Sequence, residues 1–263
     1  MQIIELEGAP NFRDLGGRPT LEGGTVRNGE VYRSGRLPDL TDADLAALSD
    51  LGIRTVVSLL TTDDVAEYGD DRVPEGVEVV SLPVDSETAS ELADRARAAL
   101  STGDFSEMPP EMNARIHRLL VDEGAGPYGE LMRLIADPEA RPIVFHCSHG
   151  VHRTGTAAAI LLSLLGVGWD DVRDDYLASN VARAAQVQQR LRAIRAGIAS
   201  RTGVDPEDVD MTNIEAFMVQ DGSYIDASRD RVIAEYGSFE AYASEAMGVD
   251  DDTLDSLRSQ LVT

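Results

Sequence analysis

Pro142-Ile143-Val144-Phe145-His146-Cys147-Ser148-His149-Gly150-Val151-His152-Arg153-Thr154-Gly155 is the stretch that decides the fold. Ile143 to Phe145 is a short, wholly apolar run, the pattern of a parallel strand buried on both faces. Thr154 to Leu165 is rich in Ala and Leu and stops at Gly166, the pattern of a helix. Between them, five residues separate Cys147 from Arg153. A strand that stops and a helix that starts turn several backbone N–H groups into one bowl. Those N–H groups and the helix dipole favour an anion, phosphate above all. In such a bowl Ser148, His149, Gly150, Val151 and His152 surround the phosphate oxygens, and Arg153 adds a bidentate fork. The same field lowers the pKa of Cys147, so that a thiolate can attack phosphorus. The plainer alternative is a structural Cys in a core strand with an Arg nearby. It leaves the agreement of motif, strand and helix unexplained.

The rest of the chain fits around this unit. Gly29 to Gly35 reads as a short strand and turn. Thr41-Asp-Ala-Asp44 opens a helix with an N-cap Thr and an acidic first turn, running to about Leu51. Ile53 to Leu60 reads as a buried strand, Thr62 to Tyr68 as a helix, Val77 to Leu82 as a strand and Tyr128 to Ala136 as a helix. This alternation predicts an α/β fold with a central, mostly parallel sheet flanked by helices. Residues 86–127 hold Ala-rich helical pieces, a Gly103-Asp-Phe-Ser106 break and Pro109-Pro110, with a thin apolar stripe. They are expected to form two or three helices over one end of the sheet, a candidate lid. Beyond the loop helix, successive helices are predicted over Trp169–Ser179, Val181–Ile198, Pro206–Val219, Ser223–Tyr236, Ser238–Met247 and Asp250–Leu261. Trp169 sits at helical spacing and reads as core. Without repeats or a low-complexity linker, residues 1–263 read as a single domain.

The chain has 263 residues, 43% apolar and 27% charged, enough for a sizeable core. Its one Cys excludes an internal disulfide and, inside a phosphate loop, points to chemistry in a reducing compartment; a cytoplasmic location is expected. The first residues carry no basic leader, and no stretch approaches the length of a membrane span. The formal charge is −24, and all 23 basic residues are Arg. A genome that favours Arg codons and a salt-rich cytoplasm both account for the missing Lys. Such a surface repels nucleic acid and anionic membrane. The four His residues show no metal-ligand spacing, and no cofactor is expected.

His146-Cys147-x5-Arg153-Thr154 resembles the phosphate-binding loop of the cysteine-dependent protein tyrosine phosphatases. Asn11-Phe-Arg-Asp-Leu-Gly-Gly17 and Tyr32-Arg-Ser-Gly-Arg36 resemble the opening motifs of a bacterial branch of that family, the mycobacterial-type protein tyrosine phosphatase B branch. Asp174-Asp-Tyr-Leu-Ala-Ser-Asn180 and Glu235-Tyr-Gly-Ser-Phe-Glu-Ala-Tyr242 resemble its helical tail. The resemblance spans nearly the whole chain. It implies a cysteine-phosphatase fold with a helical lid and activity on phosphotyrosine, phosphoserine or phosphoinositide. In that branch the loop usually reads Gly-Lys-Asp-Arg-Thr-Gly, and here it reads Gly150-Val-His-Arg-Thr-Gly155. Val151 cannot hold extra phosphates as that Lys does, which weakens the phosphoinositide reading. His152, in place of the family Asp, is either a packing residue with a hydrogen bond or a second proton donor.

The implied chemistry has two steps. Cys147 attacks a phosphate monoester to form a phosphocysteine, and water then hydrolyses it. The leaving oxygen needs a proton. Asp85, at the end of Ser81-Leu-Pro-Val-Asp85, is the first candidate, as it follows a strand end like the family's acid; Asp63 and Asp64 are the alternatives. Arg153 stabilises the equatorial oxygens, Thr154 supports the sulfur as a leaving group, and His146 orients the loop from behind. Three functions compete: a phosphoprotein phosphatase, a phosphatase for a small metabolite such as a nucleotide or sugar phosphate, and a phosphate-binding module without turnover.

Overall fold

The computed structural model describes residues 3–106, 108 and 111–263; Pro109 and Pro110 lie outside the described residues. The first part of the chain carries β1 (Arg13–Asp14), β2 (Val31–Ser34), α1 (Asp42–Asp50), β3 (Thr55–Ser58), α2 (Thr62–Tyr68) and β4 (Glu78–Ser81). Next come α3 (Glu87–Thr102), α4 (Met112–Glu123), α5 (Ala125–Ala136), β5 (Ile143–His146) and α6 (His152–Leu164). The remainder is helical: α7 (Trp169–Leu177), α8 (Ser179–Ala182), α9 (Ala184–Thr202), α10 (Thr212–Met218), α11 (Gly222–Tyr236), α12 (Phe239–Glu245) and α13 (Asp251–Leu261).

The strands form one sheet in the order β1-β2-β5-β3-β4. β2, β5, β3 and β4 run parallel, and the short β1 pairs antiparallel with β2. The loop strand β5 is therefore central, with Ser34 on one side and Ser58 on the other both in register with His146. Strand alternation sorts its side chains. Val56 and Val144 pack with Leu37, Leu40 and Leu48 on the α1 face. Val57, Ile143 and Phe145 pack with residues of α4, α5, α6 and α13 on the other. Both faces are covered, as a parallel sheet requires. Thr41 caps α1 in a capping box with Asp44, and Thr61 does the same for α2 with Asp64.

Three segments differ from the sequence expectation, one of them the predicted helix Val181–Ile198, which is broken at Arg183 between α8 and α9. α4 is a core helix, burying Ile116, His117, Leu120 and Val121, so the thin apolar stripe belongs to α3. Pro206 starts only a 3-10 turn (Pro206–Asp208), because Asp205 and Asp210 each turn back to accept a backbone N–H two residues on. Trp169 is a packing residue: it stacks on Phe239 at 6.0 Å and donates from Nε1 to Asp226 at 2.8 Å.

Candidate active site

The loop leaves β5 at the carboxyl edge of the sheet and enters α6 at His152. Its carbonyls are held outward. Arg36 N–H donates to the Ser148 carbonyl at 3.3 Å. Asn11 Nδ2 donates to the carbonyls of His149 (3.2 Å) and Gly150 (2.7 Å), and Arg33 Nη2 also donates to Gly150 (2.7 Å). In a trans peptide the N–H points opposite the carbonyl. Pinning these three oxygens therefore aims the N–H groups of His149, Gly150 and Val151 into the bowl. Gly150 has φ +65°, and a Cβ there would lie 2.5 Å from the Ser34 carbonyl oxygen, so only glycine fits between loop and β2.

Two of the pinning groups are themselves fixed from below, Arg33 directly and Asn11 through Arg13, which donates to its Oδ1. Asp175 of α7 accepts from Arg13 Nε at 3.0 Å, Arg18 Nη2 at 3.0 Å and Arg33 Nη1. Arg13 and Arg33 are fully buried, and Asp175 is 1% exposed. Burial alone would raise the Asp175 pKa, but the guanidiniums of Arg13, Arg33 and Arg18 drive it far below the usual carboxylate range. Three cations share one carboxylate, so the cluster under the loop is net positive and adds to its attraction for anions. His146 also lies behind the loop, fully buried, with Nε2 2.9 Å from Asp71 Oδ2.

Cys147 is 3% exposed at the bottom of the bowl. Burial pushes the thiol up, but the Arg153 guanidinium, the Thr154 hydroxyl and the N–H groups of Thr154 and His149 outweigh it and hold the pKa below its ordinary value. The Thr154 hydroxyl is buried and completes no well-aligned hydrogen bond within the protein, so it is free to turn toward the sulfur. Arg153 donates from Nη1 to the Leu59 carbonyl at 3.1 Å and to Asp64 Oδ2 at 2.6 Å. Asp64 is thereby kept ionised: burial opposes this, but the bond and charge of Arg153 and the Thr61 N–H lower its pKa. Of the two alternatives to Asp85, Asp64 is thus an anchor for Arg153, and Asp63 is exposed on the first turn of α2.

His117, His149 and His152 are neutral near pH 7. Arg190 Nη1 lies 2.9 Å from His149 Nε2. Arginine can only donate, so Nε2 is the acceptor and Nδ1 carries the hydrogen, donating to Ser148 Oγ at 3.1 Å. Burial and the charges of Arg183 and Arg190 hold the His149 pKa well down. Burial, with Arg183 and Arg153, holds His152 at about 4. His152 packs against the ring of His117 at 5.4 Å, and His117 bridges Thr156 and Tyr176 at 3.1 Å each.

Asp85 lies exposed between β4 and α3, on the wall of the cavity above the loop. It does not cap α3; Ser86 does, accepting from Ala89 N–H at 3.0 Å. The cavity measures about 590 Å³ and also takes in Ser148, Arg153, Tyr68 and Phe217. The middle of α3 reaches the core through Leu92 and Ala96, and Leu100 joins a cluster with Leu191, Ile198 and Ile214. The structure therefore gathers Cys147, Thr154, Arg153 and the loop backbone, and sets Asp85 on the cavity that Ser148 and Arg153 also line. The sequence pattern does not mark Asn11, Arg33 and Asp175 as loop supports, Asp64 as the partner of Arg153, or Arg183 and Arg190 as residues of the cavity wall. A charged residue inside an apolar strand, as Arg33 is in Val31-Tyr-Arg-Ser34, was the available signal. Among the described residues no group of three or more His, Cys, Asp or Glu side chains is placed to hold a metal ion. None of the described helices is long and apolar enough to cross a membrane.

Residues 4–263 match the model of the tyrosine phosphatase family. The chain is 31% identical, over 287 aligned positions and the full length of both proteins, to the triple specificity protein phosphatase PtpB of Mycobacterium tuberculosis. It is 33% identical over 249 residues to a Cupriavidus necator protein with a provisional tyrosine-protein phosphatase name, covering 91% of this chain and 82% of that one. Among solved structures, the Siw14 catalytic core matches at a TM-score of 0.36 and 15% identity, over 82% of this chain and 93% of that one.

Proposed function

The chain belongs to the tyrosine phosphatase family and is a cysteine-dependent phosphatase, and from that premise we propose that Cys147 is its nucleophile and phosphorylated protein its substrate. The observation that carries this reading is the buried Cys147 thiol, its pKa lowered, beneath inward N–H groups and beside Arg153. Cys147 sulfur attacks phosphorus, the P–O bond to the leaving group breaks, and Asp85 protonates that oxygen. Arg153 and the N–H groups of residues 148–153 hold the equatorial oxygens as charge develops. Water then attacks the phosphocysteine, Asp85 takes its proton, and inorganic phosphate and the thiolate are released. Thr154 supports the departing sulfur, and His149 and Arg190 orient Ser148. His152, neutral near pH 7, serves packing and is not the acid. A cavity walled in part by Tyr68, Ile116 and Phe217 suits an aryl monoester. The chain acts as one unit over residues 1–263 in a reducing, cytoplasmic setting; within 86–127, α3 is the part that serves as lid, since it walls the cavity through Ala89, Ser90 and Ala93.

The test is Cys147→Ser. It abolishes turnover of an aryl phosphate while the folded variant still binds phosphotyrosine peptide. Iodoacetate inactivates the wild type with a midpoint below the free-thiol pKa of about 8.5, and phosphate protects. Turnover by the serine variant would overturn the mechanism.

A further inference from the structure

Among the described residues five arginines are buried. Arg13, Arg18, Arg33 and Arg141 each pair with a carboxylate. Arg183, 7% exposed, does not. Its Nε is buried without an acceptor, and among the described residues its guanidinium makes neither an ion pair nor a hydrogen bond. This stands out in a chain with 47 acidic residues against 23 arginines. A buried charge without a partner is costly and persists where something outside the fold supplies the partner.

Arg183 stands in the break between α8 and α9, on the wall of the active-site cavity. It lies close enough to Cys147 for the thiolate to support its charge, and with a pKa lowered by burial and Arg190 only to about 10 it remains a cation. The other cavity arginines are engaged. Arg153 is held by Asp64, Arg97 pairs with Glu67 and Asp94, and Arg190 donates to His149. Arg183 is the unpartnered cation of this wall among the described residues.

We propose that Arg183 is a second anion-binding residue of the active site, holding a further phosphate or carboxylate of the substrate whose phosphomonoester lies in the Cys147 loop. This rests on the reading of that loop as the phosphate site. The favoured substrate class is then a phosphomonoester with a second anionic group near the first. A plain aryl phosphate uses the loop alone. The second anion comes either from a neighbouring residue of a phosphopeptide or from a small bisphosphate, and the chemistry of recognition is the same.

The experiment uses two matched pairs: a phosphotyrosine peptide against the same peptide with an adjacent second phosphotyrosine, and a hexose monophosphate against its bisphosphate. The readout is the ratio of kcat/KM, doubly over singly phosphorylated. A charge-assisted contact predicts a wild-type ratio of about 10 to 100 in at least one pair, falling toward 1 in Arg183→Gln. The pair that shows it identifies the source of the anion. A wild-type ratio near 1 in both pairs, or a ratio unchanged by Arg183→Gln, overturns the proposal. Titration of the same pairs into Cys147→Ser, with and without Arg183→Gln, reads the subsite without turnover. An Arg183-dependent preference there upholds it even if the wild type hydrolyses nothing, an outcome that would count against the phosphatase mechanism alone. Arg183→Met should melt no lower than the wild type, since no ion pair or hydrogen bond of its guanidinium within the described residues is lost; a large drop would make Arg183 a structural residue and overturn the proposal.

Discussion

Asp175→Asn tests the cluster beneath the loop. The amide keeps the shape of the carboxylate and removes its charge. In the wild type that one carboxylate meets three guanidiniums, two of them at 3.0 Å, and the partners Arg13 and Arg33 are fully buried. Breaking a single buried pair costs about 3–5 kcal/mol, because a desolvated charge is left behind. With three arginines left facing one another the cost lies near the top, about 5 kcal/mol. For a chain of this size that lowers Tm by roughly 10–20 °C. Urea unfolding and thermal melts at neutral pH measure it. Relieving the crowding should restore part of the loss, so Asp175→Asn with Arg18→Met should be more stable than Asp175→Asn alone. The pH dependence gives an independent check. The Asp175 carboxyl is held far below its ordinary value, so its contribution is complete above the unfolded pKa of about 3.9 and is lost as acid takes the pH down toward the folded value. Below about pH 4 the wild type should lose stability with a steeper slope than the variant. A variant within about 1 kcal/mol of the wild type, a margin well under the cost of one broken buried pair, or equal acid slopes, would show that the arginines do not depend on this carboxylate.

The remaining predictions concern turnover. Arg153→Lys keeps a charge but cannot reproduce the fork, so kcat/KM should fall about 10²-fold or more; near-normal rates would end the bidentate role. Asp85→Asn should slow an alkyl phosphate by about 10²–10⁴-fold and an aryl phosphate with an acidic phenol far less. The basic limb of its pH–rate profile should flatten, and equal losses on both substrates would make Asp85 structural.

What was legible in the sequence was what is local. The apolar run of β5, the Ala- and Leu-rich α6 and the Thr caps of α1 and α2 are set by neighbours within a few positions, and they stand where the pattern puts them. The loop chemistry was readable for the same reason, since Cys147 and Arg153 lie on either side of one turn. The supports were not. Nothing local says that Arg33 in a strand and Asp175 in a helix meet, although both lie within the motifs that carried the family resemblance. The predicted continuous helix from Val181 to Ile198 hid the break at Arg183, where α8 ends with φ −110° and ψ 4°. The acidic stretch Thr61-Thr-Asp-Asp64 offered two equivalent carboxylates. Only helical phase, which turns Asp64 toward Arg153 and leaves Asp63 in solvent, tells them apart.

The cluster around Asp175 also bears on how the chain folds. Its contacts with Arg33 and Arg13 span 142 and 162 residues, and Asn11 reaches Gly150 across 139. Each is a long chain closure, and topologies built from such closures fold slowly. During synthesis the loop and its Cys147 emerge before Asp175, which fixes Arg33 directly and Asn11 through Arg13, the two side chains that pin the His149 and Gly150 carbonyls. Until α7 docks, the Arg33 guanidinium lacks the carboxylate that fixes it against the Gly150 carbonyl. The anion bowl is therefore completed by contacts between distant parts of the chain, and the finished bowl is what holds phosphate. Bound phosphate shifts the balance toward the native state by mass action, so the group the loop is built to hold also stabilises the finished fold.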